Sequence, residues 1–373
     1  MYPALAVVEE WRNATSARGD SGNRGTEHSL PRLDDVLYIG TASGLEASIV
    51  PRAGITLRTV QAGAVRGLSP LRIVANGLTS LRGMLQAWRI LGSFHPNVVL
   101  ATGGYASVPV VVAAWLRGCP VLVYLPDAQP GLAVRFLSRF ARRVAVSFEA
   151  AQAYFAPGKA VVTGYPVRPA LFTGPEVRPL ARERLGLAPG MKTLLVLGGS
   201  RGAHSMNVAI YESLEKLLGL AQVVHVTGEK DGPWLQQRRE ELPVDLCQRY
   251  HLHTYLHEEM VPALLAADLA VARAGAATMG EFAAAGLPSI LVPYPHAGQH
   301  QEANADFLAS HGAARKVLDR DLAAGGLLRA VETLLSDERA LRSMAENARR
   351  LARPGAARAI AQQLASLASG GGN

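Results

Sequence analysis

Leu194-Leu195-Val196-Leu197-Gly198-Gly199-Ser200-Arg201-Gly202-Ala203 decides how the rest of the chain is read. Four consecutive apolar residues run into a glycine-rich turn, and a helical stretch begins soon after. An uninterrupted apolar strand suits a sheet buried on both faces, as in parallel α/β layers. Glycines let backbone N–H groups approach an anion closely, and the amino end of a helix favours the negative charge. Ser200 adds a hydroxyl donor. Taken alone, the segment serves equally well as a tight strand-to-helix turn with no ligand.

Working outward, the same alternation continues on both sides. Downstream, strands are expected at Thr193–Leu197, Val223–Thr227, Leu252–Tyr255, Leu269–Ala272 and Ser289–Val292. Helices are expected at Asn207–Leu218, Met260–Ala266, Thr278–Ala285 and Gln301–His311, with two or three more across 320–369. Residues 173–190, rich in glycine, proline and charge, read as a linker. Upstream lies a second series. Its strands are Val36–Ile39, Thr56–Val60, Val98–Ala101, Val121–Tyr124, Arg143–Val146 and Val161-Val162. Its helices are Leu71–Leu91, Val108–Arg117 and Leu132–Phe140. Tyr2–Trp11 reads as a helix with proline in its first turn, and 13–35 as a polar loop. Two such series predict an α/β protein with two doubly wound Rossmann-like domains. Ligands in such sheets bind beyond the carboxyl ends of the strands.

Composition narrows the partners. The chain has 373 residues, 49% apolar and 18% charged, enough to fill real cores. No run of about 18 apolar residues offers a membrane span. Two cysteines, Cys119 and Cys247, make neither a disulfide framework nor a zinc site, which fits a reducing cytosol, and no signal peptide is read at the start. The formal net charge of +8 points to phosphorylated ligands or an anionic membrane surface. The charge is scattered and aromatic content is 6%, so nucleic acid is not expected as a partner.

Further segments carry candidate chemistry. Arg273-Ala274-Gly275-Ala276-Ala277-Thr278 is a second glycine turn after a strand, and Glu281 follows three residues on. Thr278 and Glu281 have the spacing of a capping box. Alternatively, backbone amides from Gly275 to Thr278 meet a phosphate and Glu281 accepts ribose hydroxyls. Arg168, in Gly164-Tyr165-Pro166-Val167-Arg168, is either one surface arginine among many or a partner for a diphosphate. The loop Pro293 to Asn304 gathers His296, Gln299, His300, Gln301 and Asn304. Its two histidines lack the companions a metal needs, and its amides suit sugar hydroxyls. Thr102-Gly103-Gly104 is a third glycine turn after a strand.

Taken together, these segments resemble the MurG family, the UDP-N-acetylglucosamine–N-acetylmuramyl-(pentapeptide) pyrophosphoryl-undecaprenol N-acetylglucosamine transferases of glycosyltransferase family 28. The resembling stretches are Tyr2–Glu10, Ile39–Ile55, Ala101–Pro109, Gly164–Arg168, Leu197–Ala203 and Ala267–Ala314, in the family's order and spacing. The resemblance implies the GT-B fold. Residues 1–166 would form the acceptor and membrane-facing domain, with the helix at about 355–369 packing back on it. Residues 167–354 would bind UDP-GlcNAc. Arg168, Ser200, Gly199, Gly202 and the backbone of Ala276, Ala277 and Thr278 would meet the diphosphate. Glu281 would bind ribose, Leu256 would hold uracil through its backbone, and Gln301 would touch the sugar.

The implied reaction is inverting transfer of GlcNAc from UDP-GlcNAc to lipid I, giving lipid II, without metal or cofactor. The enzyme would sit peripherally on the cytoplasmic face of the cell membrane. Several positions depart from the family's pattern. The family opens with a strand, a glycine-rich loop and a histidine, and here Met1 stands directly before Tyr2. Where the family has His-Glu-Gln-Asn, this chain has Tyr124-Leu125-Pro126-Asp127, which makes Asp127 the candidate for both sugar contact and general base. Arg201 replaces a common glutamine. A related transferase acting on another lipid, or a non-catalytic nucleotide-sugar-binding protein, would share the donor-side motifs.

Overall fold

The computed structural model describes residues 2–16, 36–42, 44, 46–63, 70–199, 202–295 and 300–370. The chain forms two compact units: Met1–Pro166 with Gly355–Asn373, and Val167–Pro354.

In the first unit the order is α1 (Tyr2–Ser16), β1 (Leu37–Gly40), α2 (Glu46–Arg52), β2 (Thr56–Thr59), α3 (Pro70–Phe94), β3 (Val99–Ala101), α4 (Ser107–Leu116), β4 (Val121–Leu125), α5 (Leu132–Leu137), β5 (Arg143–Val146) and β6 (Ala160–Val162). Strands β3-β4-β5-β6 form a parallel sheet in that order. Strands β1 and β2 pair with each other, also in parallel, and among the described residues neither joins the larger sheet. Both sheets nevertheless share a core, because Ile39 of β1 and Val99 of β3 pack against one apolar cluster.

Strand β4 shows why a continuous apolar run is needed. Val121, Val123 and Leu125 point into the cluster under α3, α4 and α5. Leu122 and Tyr124 point to the other face. There Val7 and Trp11 of α1 pack with Ile360, Ala361 and Leu364 of α16 (Ala356–Ala368), the last helix of the chain. Helix α1 continues through residue 16, past the expected loop start at 13, and residues 17–35 of that loop lie outside the described residues.

The second unit runs α6 (Arg178–Arg184), β7 (Thr193–Leu197), α7 (His204–Glu212), α8 (Leu214–Leu220), β8 (Gln222–Val226), α9 (Gly232–Glu240), α10 (Val244–Cys247) and β9 (Tyr250–His253). It continues with α11 (Met260–Ala266), β10 (Leu269–Ala272), α12 (Ala276–Ala285), β11 (Ser289–Leu291), α13 (His300–Ser310), β12 (Ala314–Lys316), α14 (Gly326–Ser336) and α15 (Glu338–Leu351). All six strands are parallel, in the order β12-β11-β10-β7-β8-β9. From β7 the chain winds outward to β8 and β9, then returns to β10 and winds the other way. The carboxyl ends of β7 and β10 therefore flank the topological switch point, where doubly wound sheets bind ligands.

Several expected elements need correction. Residues 173–190 are not a linker: they hold α6, started by Pro179 in its first turn and packed on α11. Its arginines Arg178 and Arg182 both donate to Asp268, at 2.8 and 2.6 Å. The single helix expected at 207–218 is two, broken at Ser213. Helix α9 is polar apart from Gly232, Trp234 and a buried Leu235, so its period is faint, and α10 is one short turn. Strand β12 is a three-residue edge strand with two basic residues, Arg315 and Lys316, the latter paired with Asp306 of α13.

Asp268 also accepts the Thr193 amide at 2.7 Å, so one carboxylate fixes α6 to the start of the two central strands. Asp268→Asn keeps the amide acceptor but loses charge-assisted bonds to two arginines. It should lower the stability of the intact chain by about 2–3 kcal/mol after allowing for the partial exposure of Arg178. Urea unfolding followed by circular dichroism will read this as a lower midpoint.

Candidate functional site

The turn after β7 is shaped by close backbone approach. Gly202 donates its amide to the Gly199 carbonyl at 3.0 Å, and both glycines have positive φ, +81° and +72° in chain order. A Cβ on Gly202 would stand 2.5 Å from the Thr227 carbonyl at the end of β8, so no larger residue fits without moving one of the two strand ends. The candidate residues Ser200 and Arg201, between these glycines, lie outside the described residues.

The turn after β10 is built around Gly275, which is the N-cap of α12. Thr278 is a first-turn residue whose hydroxyl and amide both return to the Gly275 carbonyl, at 2.6 and 3.1 Å. The capping-box reading of Thr278 and Glu281 is therefore corrected: the helix begins three residues earlier than that spacing requires. The amide of Gly275 donates to the Arg273 carbonyl at 2.9 Å. Of the amides from Gly275 to Thr278, those of Ala276 and Ala277 are the ones the helix geometry leaves pointing forward without an intrahelical acceptor.

Glu281, one turn into α12, comes within 3.8 Å of the Arg168 guanidinium. Its side chain is 26% exposed and that of Arg168 44%. Burial raises the Glu281 carboxyl above its ordinary range, and Arg168 opposes the rise. Leu256 lies buried in the segment between β9 and α11. Gln301 accepts the Tyr294 amide at 2.9 Å, tying the start of α13 to the beginning of the loop that follows β11. Asn304, fully buried, donates to the Ala274 carbonyl at 3.0 Å. Residues 296–299 of this loop lie outside the described residues. The structure thus gathers Arg168, Gly199, Gly202, Leu256, Ala276, Ala277, Thr278, Glu281 and Gln301 in one unit, on or beside its strand-end loops. Asp127 belongs to the other unit, just after β4, where its charge adds to the burial that drives the Tyr124 phenol upward. Among the described residues, no cluster of three His, Cys, Asp or Glu could hold a metal ion.

Two features escaped the sequence reading. Arg273 is buried, and its guanidinium donates to Asp319 at 2.5 Å, to the Val292 carbonyl at 3.2 Å and to Ser205 at 2.7 Å. It joins the first turn of α7 to segments that follow β10, β11 and β12. The other is a polar chain through the interior. Tyr250 bonds His225 Nδ1 at 2.8 Å, and His225 Nε2 bonds Asn207 Oδ1 at 3.0 Å. Asn207 then donates to Asp231 at 2.6 Å and to the Thr227 carbonyl at 3.0 Å. Burial presses His225 down to about 3, so its ring stays neutral and its tautomer fixes the Asn207 amide. No local spacing pairs residues 207, 225, 231 and 250. Only the strand register brings them together.

Parallel α/β units with a glycine turn, the amino end of α12 and an arginine–carboxylate pair beside the switch point fit a nucleotide-sugar glycosyltransferase of the GT-B type. The chain belongs to glycosyltransferase family 28: residues 26–146 match that family's N-terminal domain and 193–364 its C-terminal domain. It is 41% identical to a UDP-N-acetylglucosamine–N-acetylmuramyl-(pentapeptide) pyrophosphoryl-undecaprenol N-acetylglucosamine transferase of a Roseiflexus species, over 98% of this chain and 92% of that one. A protein of the same description from Moorella thermoacetica is also 41% identical, over 100% and 96%. The crystal structure of Acinetobacter baumannii MurG superposes with a TM-score of 0.68 at 26% identity, covering 97% of this chain and 95% of that one.

Because the folded-state carboxyl of Glu281 titrates above its unfolded value, its protonated form is the one folding favours. That contribution is complete below the ordinary glutamate range and is lost as pH rises through the raised value. Glu281→Gln should therefore raise the melting temperature of the ligand-free protein at pH 7, and the gain should vanish near pH 4. Differential scanning calorimetry at the two pH values checks this.

Proposed function

We propose that this chain transfers N-acetylglucosamine from UDP-N-acetylglucosamine to undecaprenyl-diphospho-N-acetylmuramoyl-pentapeptide, turning lipid I into lipid II in peptidoglycan synthesis. The full-length similarity to transferases of that description supports the reaction. The observation that carries the site is the Arg168–Glu281 pair beside the amino end of α12. A carboxylate accepts from the ribose diol, and the guanidinium 3.8 Å from it pairs with the diphosphate. Residues 167–354 are the donor domain in this reading. Residues 1–166 with 355–373 take the lipid-linked acceptor.

The acceptor hydroxyl oxygen forms a bond to the anomeric carbon as the bond from that carbon to the β-phosphate oxygen breaks. Its electron pair leaves with UDP, and the configuration inverts. Arg168, Ser200, the glycine turn and the amides of Ala276 and Ala277 stabilise the departing diphosphate charge. Of these, the amides of Ala276 and Ala277 are held by α12 before the reaction and need little rearrangement during it. Leu256 holds uracil through its backbone and Gln301 meets the sugar. Asp127 is the candidate base for the acceptor proton. No metal enters this scheme.

Radiolabelled GlcNAc transfer to a lipid I analogue tests the reaction. Arg168→Ala and Glu281→Ala should each weaken UDP binding about tenfold or more, the cost of one charge-assisted hydrogen bond. Unchanged affinity by calorimetry would remove that residue from the site. Transfer to a different lipid, with lipid I inert, would overturn the acceptor assignment.

Attachment to the membrane is peripheral in this reading, at its cytoplasmic face. Among the described residues, no helix is long and apolar enough to cross a bilayer. The first unit instead exposes Leu85 and Trp88 on α3, Trp115 and Leu116 on α4, and Phe136 on α5, three helices packed side by side. Arg82, Arg89, Arg117 and Arg135 are exposed on or just past the same helices, and Arg117 stacks 4.1 Å above Trp88. Apolar rings ringed by arginines suit an anionic lipid surface, at about 1 kcal/mol per charge near the headgroups. Co-sedimentation should show binding to phosphatidylglycerol vesicles that weakens with salt. Trp88→Ala with Arg117→Ala should reduce it about tenfold.

A further inference from the structure

We propose that Tyr294 is a specificity-determining residue of the donor site, its ring serving as the face on which the transferred sugar packs. The inference rests on reading the second unit as the UDP-sugar domain. Tyr294 stands just past the carboxyl end of β11, two residues after Val292, whose amide donates to the Ala272 carbonyl at 2.9 Å. It is thus next to the turn that starts α12. A tyrosine ordinarily gains by burying its ring. This one is 47% exposed.

Exposure here does not mean looseness, because Tyr294 is held from several sides. Arg273 donates to the carbonyls of the two residues before it, Val292 at 3.2 Å and Pro293 at 3.5 Å. The same buried guanidinium lies over the ring, 5.4 Å from its centroid. Gln301 holds the Tyr294 amide at 2.9 Å. Pro295 follows directly and keeps the Tyr294 backbone out of the helical region. A ring fixed on a cation in this way offers its other face to a ligand at little cost in entropy.

Gln301 supplies the polar half. A main-chain N–H can only donate, so the atom that meets the Tyr294 amide is the Gln301 side-chain oxygen. That leaves the NH2 group as the part of Gln301 that can meet a ligand, as a donor. An aromatic face beside an amide donor matches a pyranose, which carries C–H groups on its faces and oxygen acceptors around its rim. The order of the strands agrees. Leu256 follows β9, the glycine turn follows β7, α12 starts after β10, and Tyr294 follows β11. In the sheet these strands run β11-β10-β7-β8-β9. A donor laid along the strand ends, with uracil at Leu256 and the diphosphate at the switch point, brings its sugar to the end of β11.

The test is calorimetric titration of the intact chain with UDP-GlcNAc and, separately, with UDP. Tyr294→Ala should weaken UDP-GlcNAc about fivefold and leave UDP unchanged, since UDP lacks the group that the ring covers. Tyr294→Phe, which keeps the ring and loses the hydroxyl, should hold close to wild-type affinity for both. The UDP affinity of each variant is its own control for folding. Wild-type affinity for UDP-GlcNAc in Tyr294→Ala overturns the contact. Equal weakening of UDP and UDP-GlcNAc shows that the ring only supports Arg273, and overturns it too. A Tyr294→Phe variant as weak as Tyr294→Ala overturns the packing face. A wild type that binds neither compound overturns the donor-domain reading itself, and the sugar contact with it.

Discussion

Arg273 carries a positive charge into the closely packed end of a parallel sheet, and the strand-end loops of the second unit are arranged around it. A guanidinium offers five donors in a fixed plane. Here they reach a carboxylate after β12, a hydroxyl in the first turn of α7 and a main-chain carbonyl after β11. Such a group is poorly resolvated if one partner withdraws, because only 9% of its side chain is open to water. The first turn of α7 and the segments after β10, β11 and β12 are therefore bound to a common geometry. The glycine turn, the start of α12 and the base of the 293–300 loop inherit their relative positions from this one side chain. Asn304 adds a second tie, from α13 to the carbonyl just past Arg273.

The alternating strands and helices of both units were legible because each central strand is an unbroken apolar run. Thr193–Leu197, Met260–Ala266, Leu269–Ala272 and Arg143–Val146 have the bounds their residues suggested. What failed were elements whose burial is carried by few residues. Helix α9 turns one fully buried leucine inward, and β12 is short and basic. Helix α6 was read as part of a linker because nothing in its sequence announces Asp268, some ninety residues away. At the candidate site, glycine spacing and Glu281 stood out, since their chemistry is local. The true start of α12 did not, because Ala276 and Ala277 give no sign of which residue precedes the first turn. Arg273 looked like one more arginine in a motif. Its role depends on Ser205 and Asp319, which only the sheet order brings near.

The interior of the second unit also holds polar groups that a purely apolar core would avoid. Tyr250, His225 and Asn207 are buried and each finds a partner. Burial pushes the Tyr250 phenol well up and His225 down to about 3, so neither changes charge near neutral pH. A network locked in one protonation state specifies one arrangement of donors and acceptors. That arrangement reaches the surface at Asp231, so the rim of the sheet takes its orientation from the middle of the fold.

The first unit is discontinuous: its sheet and early helices come from residues up to 166, but α16 is the last helix of the chain. Ile360, Ala361 and Leu364 cover Leu122 and Tyr124, on a face of β4 that has no other cover besides α1 in that cluster. During synthesis the second unit lies wholly between these parts and emerges complete before α16 does. The unit begun first at the ribosome is thus the one finished last. Its half-covered sheet must wait, apolar face exposed, for about two hundred further residues at roughly 5–20 residues per second. For tens of seconds, while the second unit is being made, the first keeps that face open, and a chaperone has that interval in which to hold it.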